Sequence, residues 1–282
     1  MLPTPLELIR LTTDYLAKRG VESPRLDAEV LLGYVLGVPR IQLYVQFERP
    51  LEAVEVDAYR ELVRRRGQRE PVAHLVGRRE FWSLELAVDG RVLVPRPETE
   101  RLVEVSLERI GDAGRLVDLG TGSGAILLAL LSERPGWTGV GVDCSAAALE
   151  VAAANAARHG LGDRARWCQG DLFGPLQGER FGLIVSNPPY IPSGEIAGLQ
   201  PEVVGYDPYL ALDGGADGLD LVRRIAAGAA DHLHPRGAVA LEFGADQHDG
   251  VRALFEGAGY RQVEIHEDYG GRPRVLLAEA PE

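Results

Sequence analysis

Val117-Asp118-Leu119-Gly120-Thr121-Gly122-Ser123-Gly124, running on into Ala125-Ile126-Leu127-Leu128, reads as a buried strand, a glycine-rich turn and the start of a helix. Glycines let a backbone turn tightly and approach a ligand with no Cβ in the way. The helix start behind them offers free N–H groups to polar ligand atoms. Gly120, Gly122 and Ala125 also fit the loose dinucleotide pattern G-x-G-x-x-G/A. The turn alone therefore leaves three options open: a nicotinamide cofactor, S-adenosylmethionine, or a structural turn without a ligand.

Outward from this turn, strands and helices alternate. The apolar runs Leu116–Leu119, Gly139–Val142, Ala165–Cys168, Gly182–Ser186, Ala238–Phe243, Gln262–His266 and Arg274–Ala278 predict seven strands. Helices are expected between them, over Ala125–Ser132, Ala146–Arg158, Gly218–His232 and Asp246–Gly257. Alternation of this kind gives an open, mostly parallel α/β sheet. Glu267–Pro273 is too short for a helical crossover, so the last two strands are expected to be antiparallel neighbours. A Rossmann-like, mostly parallel seven-stranded sheet that ends in such a hairpin is the mark of the class I S-adenosylmethionine methyltransferase fold.

Residues 1–78 have helical periodicity instead and are expected to form a small recognition domain. Pro5-Leu6 opens one helix, and Ser23-Pro24 opens another, with Ser23 as N-cap and Pro39 as its end. A third helix is expected over Leu51–Arg66, with Val54, Ala58, Leu62 and Val63 facing inward. The run Arg64-Arg65-Arg66 with Arg69 reads as a solvated helix face, with an RNA or partner contact as the alternative. Between about 79 and 97 the period shortens to two. Asp89-Gly90 between alternating apolar residues predicts a connecting β-hairpin. The methyltransferase-type domain then occupies 98–282. Thr99 or Glu98 is placed to start a helix over Leu102–Ile110.

Composition excludes several classes. Hydrophobic residues are 45% and charged residues 26%, which suits a globular core. The apolar runs are too short to span a bilayer, and Met1–Glu7 lacks a basic and then apolar leader, so a cytoplasmic protein without membrane attachment is expected. The net charge is −12; residues 1–78 hold 12 Lys and Arg against 11 Asp and Glu, the remainder 18 against 31. That balance argues against stable nucleic-acid binding. Cys144 and Cys168 are expected to be buried free thiols, and the histidines show no metal-ligand spacing, so no metal is expected.

The chemistry is expected at strand ends. Asp143 closes a strand 23 positions after Gly120, where an acidic side chain can accept both ribose hydroxyl protons. Its alternative is a helix N-cap, a role better suited to Ser145. Asp171-Leu172 follows the third strand, where adenine would rest; Asp171 can meet an amino group while Leu172 packs the ring. Asn187-Pro188-Pro189-Tyr190 leaves the next strand. Two prolines stiffen the backbone and remove two N–H donors. Two acceptors remain, the Asn187 side-chain oxygen and the Pro188 carbonyl. Together they can hold an –NH2 group and draw its lone pair out of conjugation. Tyr190 offers a flat face for the planar group attached. Such a site favours a pyramidal nitrogen in the transition state. It needs no catalytic histidine, because the nitrogen proton becomes acidic only as the new bond forms.

Taken with Pro71-Val72, Gly77, Phe81-Trp82, Pro95-Arg96-Pro97-Glu98-Thr99-Glu100, Gly170-Asp171-Leu172-Phe173 and Ala211-Leu212-Asp213-Gly214-Gly215, these motifs resemble the PrmC/HemK family over nearly the whole chain. Those enzymes are protein-(glutamine-N5) methyltransferases of peptide-chain release factors. The resemblance implies S-adenosylmethionine as cofactor and methyl transfer to the glutamine of a Gly-Gly-Gln loop. It places Gly120, Thr121, Gly122, Ser123 and Gly124 around the cofactor, with Asp143 on ribose and Asp171-Leu172 at adenine. Asn187–Tyr190 would hold the glutamine amide, with Asn187 also near the cofactor. Arg96 and Glu98-Thr99-Glu100 would shape the substrate mouth, with helix capping as the alternative for Thr99. Asn-Pro-Pro-Tyr also occurs in adenine-N6 methyltransferases, which makes nucleic-acid adenine the rival substrate. A nicotinamide dehydrogenase leaves Asn187–Tyr190 unexplained, and a binding module without catalysis is the remaining alternative.

Overall fold

The computed structural model describes residues 3–281. The chain divides into two compact units, one holding the chain up to Arg78 with Gln200–Tyr206, the other Arg79–Leu199 and Asp207 onward.

The first unit is helical: α1 (Pro5–Ala17), α2 (Pro24–Leu36), α3 (Arg40–Val45), α4 (Ala53–Gly67) and α5 (Val72–Val76). Thr4 and Glu7 start α1 with a reciprocal capping box. Ser23 precedes α2 as expected, but its side chain makes no capping bond. The helix stops at Gly37 in the left-handed region (φ 64°), ahead of Pro39. Leu62 and Val63 of α4 pack against the core as expected, but the first half of that helix differs. Val54 is 69% exposed, whereas Val56 and Tyr59 are buried with Leu8, Ile9, Leu31, Leu32, Leu43 and Leu51. Ala58 is exposed too. Two stripes of apolar residues compete on this helix. The one containing Tyr59 wins because its ring fills the core while its hydroxyl reaches the Ala28 carbonyl at 3.1 Å.

The arginine run is not a uniformly solvated face. Arg64 pairs with Glu61 and Arg65 with Glu70. Arg66 is buried between Asp27 (2.7 Å) and Glu202 (2.9 Å), and Arg69 also takes Glu202. Glu202 lies in α9 (Pro201–Tyr206), a helix the periodicity did not reveal.

In the second unit, β1 (Arg78–Phe81) and β2 (Leu84–Ala87) pair, followed by α6 (Glu100–Arg109), β3 (Ala113–Leu119), α7 (Ala125–Glu133), β4 (Gly136–Asp143), α8 (Ala146–Arg158), β5 (Ala165–Gln169) and β6 (Phe181–Ser186). After α9 come α10 (Asp220–Gly228), β7 (Leu233–Glu242), α11 (His248–Gly257), β8 (Arg261–Glu267) and β9 (Pro273–Glu279). The seven strands order as β5-β4-β3-β6-β7-β9-β8. β3 to β7 are parallel and β9 runs antiparallel to both β7 and β8. All seven expected strands are present, including the terminal antiparallel pair.

The sheet is covered on both faces. Leu116, Leu183, Val185, Ala238 and Ala240 pack with α6 and α7 on one side. Val117, Ile184, Val239 and Leu241 pack with Val222 of α10 and Phe255 of α11 on the other. Successive strand residues point to opposite faces, so burial on both sides demands the continuous apolar runs seen in the sequence.

The hairpin lies earlier than expected. Its turn is Trp82-Ser83, both with positive φ (51° and 60°), not Asp89-Gly90. Past β2 the backbone finds other partners. Asn155 of α8 takes both the N–H and the carbonyl of Ala87, at 2.7 and 3.1 Å. The Asp89 carboxylate accepts the Arg91 N–H at 3.0 Å. Asp89-Gly90 is thus a side-chain-closed loop, and Val92-Leu93-Val94 is not a strand.

Candidate active site

The strand order reverses between β3 and β6, the place where open α/β sheets leave a crevice beyond their carboxyl ends. Leu119 and Ser186 are paired in register, and the Ser186 hydroxyl donates to the Leu119 carbonyl at 2.7 Å. Gly120 and Asn187 therefore emerge side by side. A cavity of about 380 Å³ opens there, lined by Gly120, Gly122, Asp143, Leu172, Asn187 and Pro189 among others. Another concavity, lined by Arg109, Trp137 and His234, sits at the amino ends of the strands, away from all these residues.

The glycine turn is shaped for close approach. Gly120 and Gly122 adopt φ of 72° and 54°, and a Cβ at either would meet nothing within 4 Å. The space a side chain would fill is left to whatever the cavity holds. The remaining residues of the turn face inward. The Thr121 hydroxyl donates to buried Asp118 at 2.6 Å. Ser123 is buried and its carbonyl accepts from Asn155. Gly124 (φ 81°) is enclosed by Ala152, Trp167 and Leu128. Neither Thr121, Ser123 nor Gly124 borders the cavity.

Asp143, at the end of β4, braces the turn: its carboxylate accepts the N–H groups of Gly122 and Ser145, both at 2.9 Å. Each oxygen keeps a lone pair for a further donor. Ser145 is the N-cap of α8, accepting from the Ala148 N–H at 3.2 Å, which leaves Asp143 facing the cavity. Cys144 is exposed on the cavity wall, contrary to the expected buried thiol, because it lies just past a strand end at the open edge of the sheet. Asp171 and Leu172 also border the cavity. Leu172 sits in the left-handed region (φ 47°) and leans on the core, while the Asp171 carboxylate pairs with Arg224 at 2.6 Å.

The tetrapeptide is clamped from several directions. Asn187 and Pro189 reach the cavity wall; Pro188 is buried behind them. The Gln247 amide donates to the Tyr190 carbonyl at 2.8 Å. The chain beyond is held by Leu212–Gly215: Ile191 N–H donates to Leu212, and Gly214 N–H returns to Ile191 at 2.9 Å. A Cβ on Gly214 would come within 2.8 Å of the Pro189 carbonyl, and one on Gly218 would strike the Tyr190 carbonyl. Gly214 and Gly218 are thus demanded by close approach to the motif.

Two residues behind the motif escaped the sequence reading in whole or part. Thr99 is buried and makes no helix-capping bond; its hydroxyl accepts from Asn187 Nδ2 at 3.2 Å. Glu242, the last residue of β7, is buried and accepts from the Tyr190 hydroxyl at 3.3 Å. Burial pushes Glu242 up to about 7 and pushes the Tyr190 phenol up as well. A glutamate closing the apolar run Ala238-Val239-Ala240-Leu241 was the available signal. Arg96 is paired with buried Asp207 at 2.9 Å, which leads into Pro208–Ala211 on the cavity wall.

Residues 7–77 match the PrmC N-terminal domain, and residues 98–198 the methyltransferase small domain. The release factor glutamine methyltransferase of Rhodospirillum rubrum is 48% identical over 92% of this chain and 80% of its own length. That of Xylella fastidiosa is 42% identical over 99% of both chains. A methyltransferase structure from Pyrococcus furiosus superposes with a TM-score of 0.54 at 18% identity, covering 71% of this chain and 90% of the other, which bears on the fold alone. The class I methyltransferase fold expected from the sequence is the fold observed. With this identity sustained through both units, the chain belongs to the release factor glutamine methyltransferase family.

Proposed function

We propose that this protein transfers a methyl group from S-adenosylmethionine to the side-chain amide nitrogen of the glutamine in the Gly-Gly-Gln loop of peptide-chain release factors. The observation that carries the reading is the register of β3 and β6, which delivers the bare glycine turn and Asn187 to one cavity. The cavity suits an adenosyl group. Gly120 and Gly122 leave room for close backbone contact, Asp143 has acceptor capacity for ribose hydroxyls, and Leu172 with Asp171 borders the place for adenine. Thr121, Ser123 and Gly124 serve by holding the turn in shape. When bound, S-adenosylmethionine supplies an electrophilic methyl on a sulfonium.

The chain's own residues prepare the nucleophile. Asn187 Oδ1 and the Pro188 carbonyl accept the two hydrogens of the glutamine NH2. This fixes the nitrogen, favours its pyramidal form and aims its lone pair into the cavity. Because those acceptors are rigid, they match the transition state better than the flat ground-state amide. Positioning within one cavity removes most of the entropic cost of bringing two reactants together. Tyr190 flanks the planar amide, and Arg96, through Asp207, holds the mouth. The Arg-Pro segment and helical unit favour a protein substrate; the cytoplasm, where translation occurs, is the expected location.

Incubating purified release factor with the protein and S-adenosylmethionine, then analysing peptides by mass spectrometry, should show one added methyl on the Gly-Gly-Gln glutamine. An unmodified glutamine, with methyl appearing instead on adenine in DNA or RNA offered in parallel, would overturn the assignment.

A further inference from the structure

Glu242 sits behind the tetrapeptide at 1% exposure. Burying a carboxylate is costly unless its environment compensates, so its presence here has to serve something. Its surroundings come from four directions. The Tyr190 hydroxyl donates to Oε1 at 3.3 Å. The Thr99 hydroxyl, ahead of α6, stabilises the charge of the same carboxyl, and Arg274 of β9 does so at longer range. Glu98 adds a like charge. Arg274 is already committed, to the Phe243 carbonyl at 3.1 Å and the Asp268 carboxylate at 3.4 Å. Among the described residues, Oε2 of Glu242 has no hydrogen-bond partner.

A carboxylate can only accept hydrogen bonds, so hydroxyls directed at it must donate. A Thr99 hydroxyl that gives its proton to this carboxylate has only lone pairs left for Asn187. It therefore takes an N–H from the Asn187 carboxamide, as the 3.2 Å contact to Nδ2 has it. The two ends of a carboxamide are equal in size, and packing does not choose between them; hydrogen-bond direction does. We infer that Glu242 is a positioning residue that, through Thr99, turns the oxygen of the Asn187 carboxamide toward the substrate and, through the Tyr190 hydroxyl, anchors the other end of the tetrapeptide. This rests on the reading of Asn187 as acceptor for the substrate NH2. Protonation of Glu242 would give it a donor of its own. Thr99 could then donate to Asn187, and the carboxamide would be free to present NH2 to NH2, which repels. Burial pushes Glu242 up to about 7, so the orientation is lost as pH falls through that range.

The test uses the full-length protein, purified release factor and S-adenosylmethionine, with kcat and KM followed from pH 5.5 to 8.5. Glu242→Gln keeps the shape but can donate. It should lower kcat about 10- to 100-fold at pH 7.5, leave KM for S-adenosylmethionine within about twofold, and abolish the acid limb of the kcat profile. Thr99→Val should reproduce the loss and Thr99→Ser should recover most of it. Melting at pH 7.5 should not drop in Glu242→Gln, which separates positioning from unfolding. A second readout needs no release factor: the side-chain NH2 signals of Asn187 in 15N-labelled protein should move with an apparent pKa near 7 in the wild type and stay pH-independent in Glu242→Gln. Wild-type inactivity on release factor would strike the proposed function and leave this NMR test standing. PH-independent Asn187 signals in the wild type, or Glu242→Gln with wild-type kcat and an intact acid limb, would overturn the inference.

Discussion

Asn187 and Asp143 share a cavity, and the proposed function gives them different work that single substitutions should separate. Asn187→Ala removes an acceptor whose value, in the proposed reaction, lies in the transition state. Turnover should fall by about 100-fold or more, while calorimetric affinity for S-adenosylmethionine changes less than about threefold. A parallel fall in affinity would show that Asn187 acts on the cofactor instead. Asp143→Ala should do the reverse, weakening cofactor binding by about 10- to 100-fold, since it loses a charged acceptor and also the brace on the Gly122 N–H. The tetrapeptide was legible in sequence because two adjacent prolines after an asparagine have few structural uses. Glu242 and Gln247 were not recognised, although they complete the site, because they lie more than fifty residues downstream. A single polar residue at the end of an apolar strand says nothing of which motif it will face. Thr99 was legible as the residue that starts a helix and as part of the motif at the substrate mouth; that its side chain meets Asn187 instead of capping was not, because the two lie 88 residues apart.

At the level of elements, one side chain joins three. Asn155, fully buried in α8, donates to the carbonyls of Ala87 and Ser123 and accepts the Ala87 N–H. It fixes the glycine turn and the strand leaving the hairpin to the same helix. Asn155→Leu leaves those backbone groups without partners in the interior. Stability should fall by about 2–4 kcal/mol, read from urea unfolding, and cofactor affinity should fall with it as the turn loosens. An unchanged midpoint would mean that the freed groups find water. This pairing also explains why Asp89-Gly90 misled. The dipeptide favours a hairpin only where both flanking strands need each other, and here Asn155 supplies what a partner strand would have supplied. The inner strands of the main sheet were legible because both faces are buried and each carries an apolar run; the edge strands β5 and β8 alternate instead. Short helices such as α3, α5 and α9 have too few turns to establish a period.

For the molecule as a whole, two fully buried carboxyls set the response to pH. Burial raises Asp118 from 3.8 and Glu242 from 4.5, each to about 7. Between those limits these two groups hold more protons in the folded chain than in the unfolded one, so the stability they contribute is present at the acid end of the window and is lost as pH rises through 7. Carboxylates depressed by ion pairs, such as Glu179 and Asp217, oppose this slope near their ordinary pKa but are charged in both states above about pH 5.5, where they add little. Melting temperature should therefore drop by about 2–6 °C between pH 5.5 and 8. Asp118→Asn should flatten that dependence, and a curve of unchanged slope would remove Asp118 from the explanation.

The buried arginine–glutamate cluster of the helical unit draws on Glu202, encoded more than a hundred residues after the last of α1 to α5. A scissors cut at residue 78 would not yield a self-sufficient module. It would leave Arg66 with Asp27 alone and Arg69 without its carboxylate partner, so any chimera that borrows this helical unit must also carry across the short stretch Gln200–Tyr206 from the middle of the catalytic half.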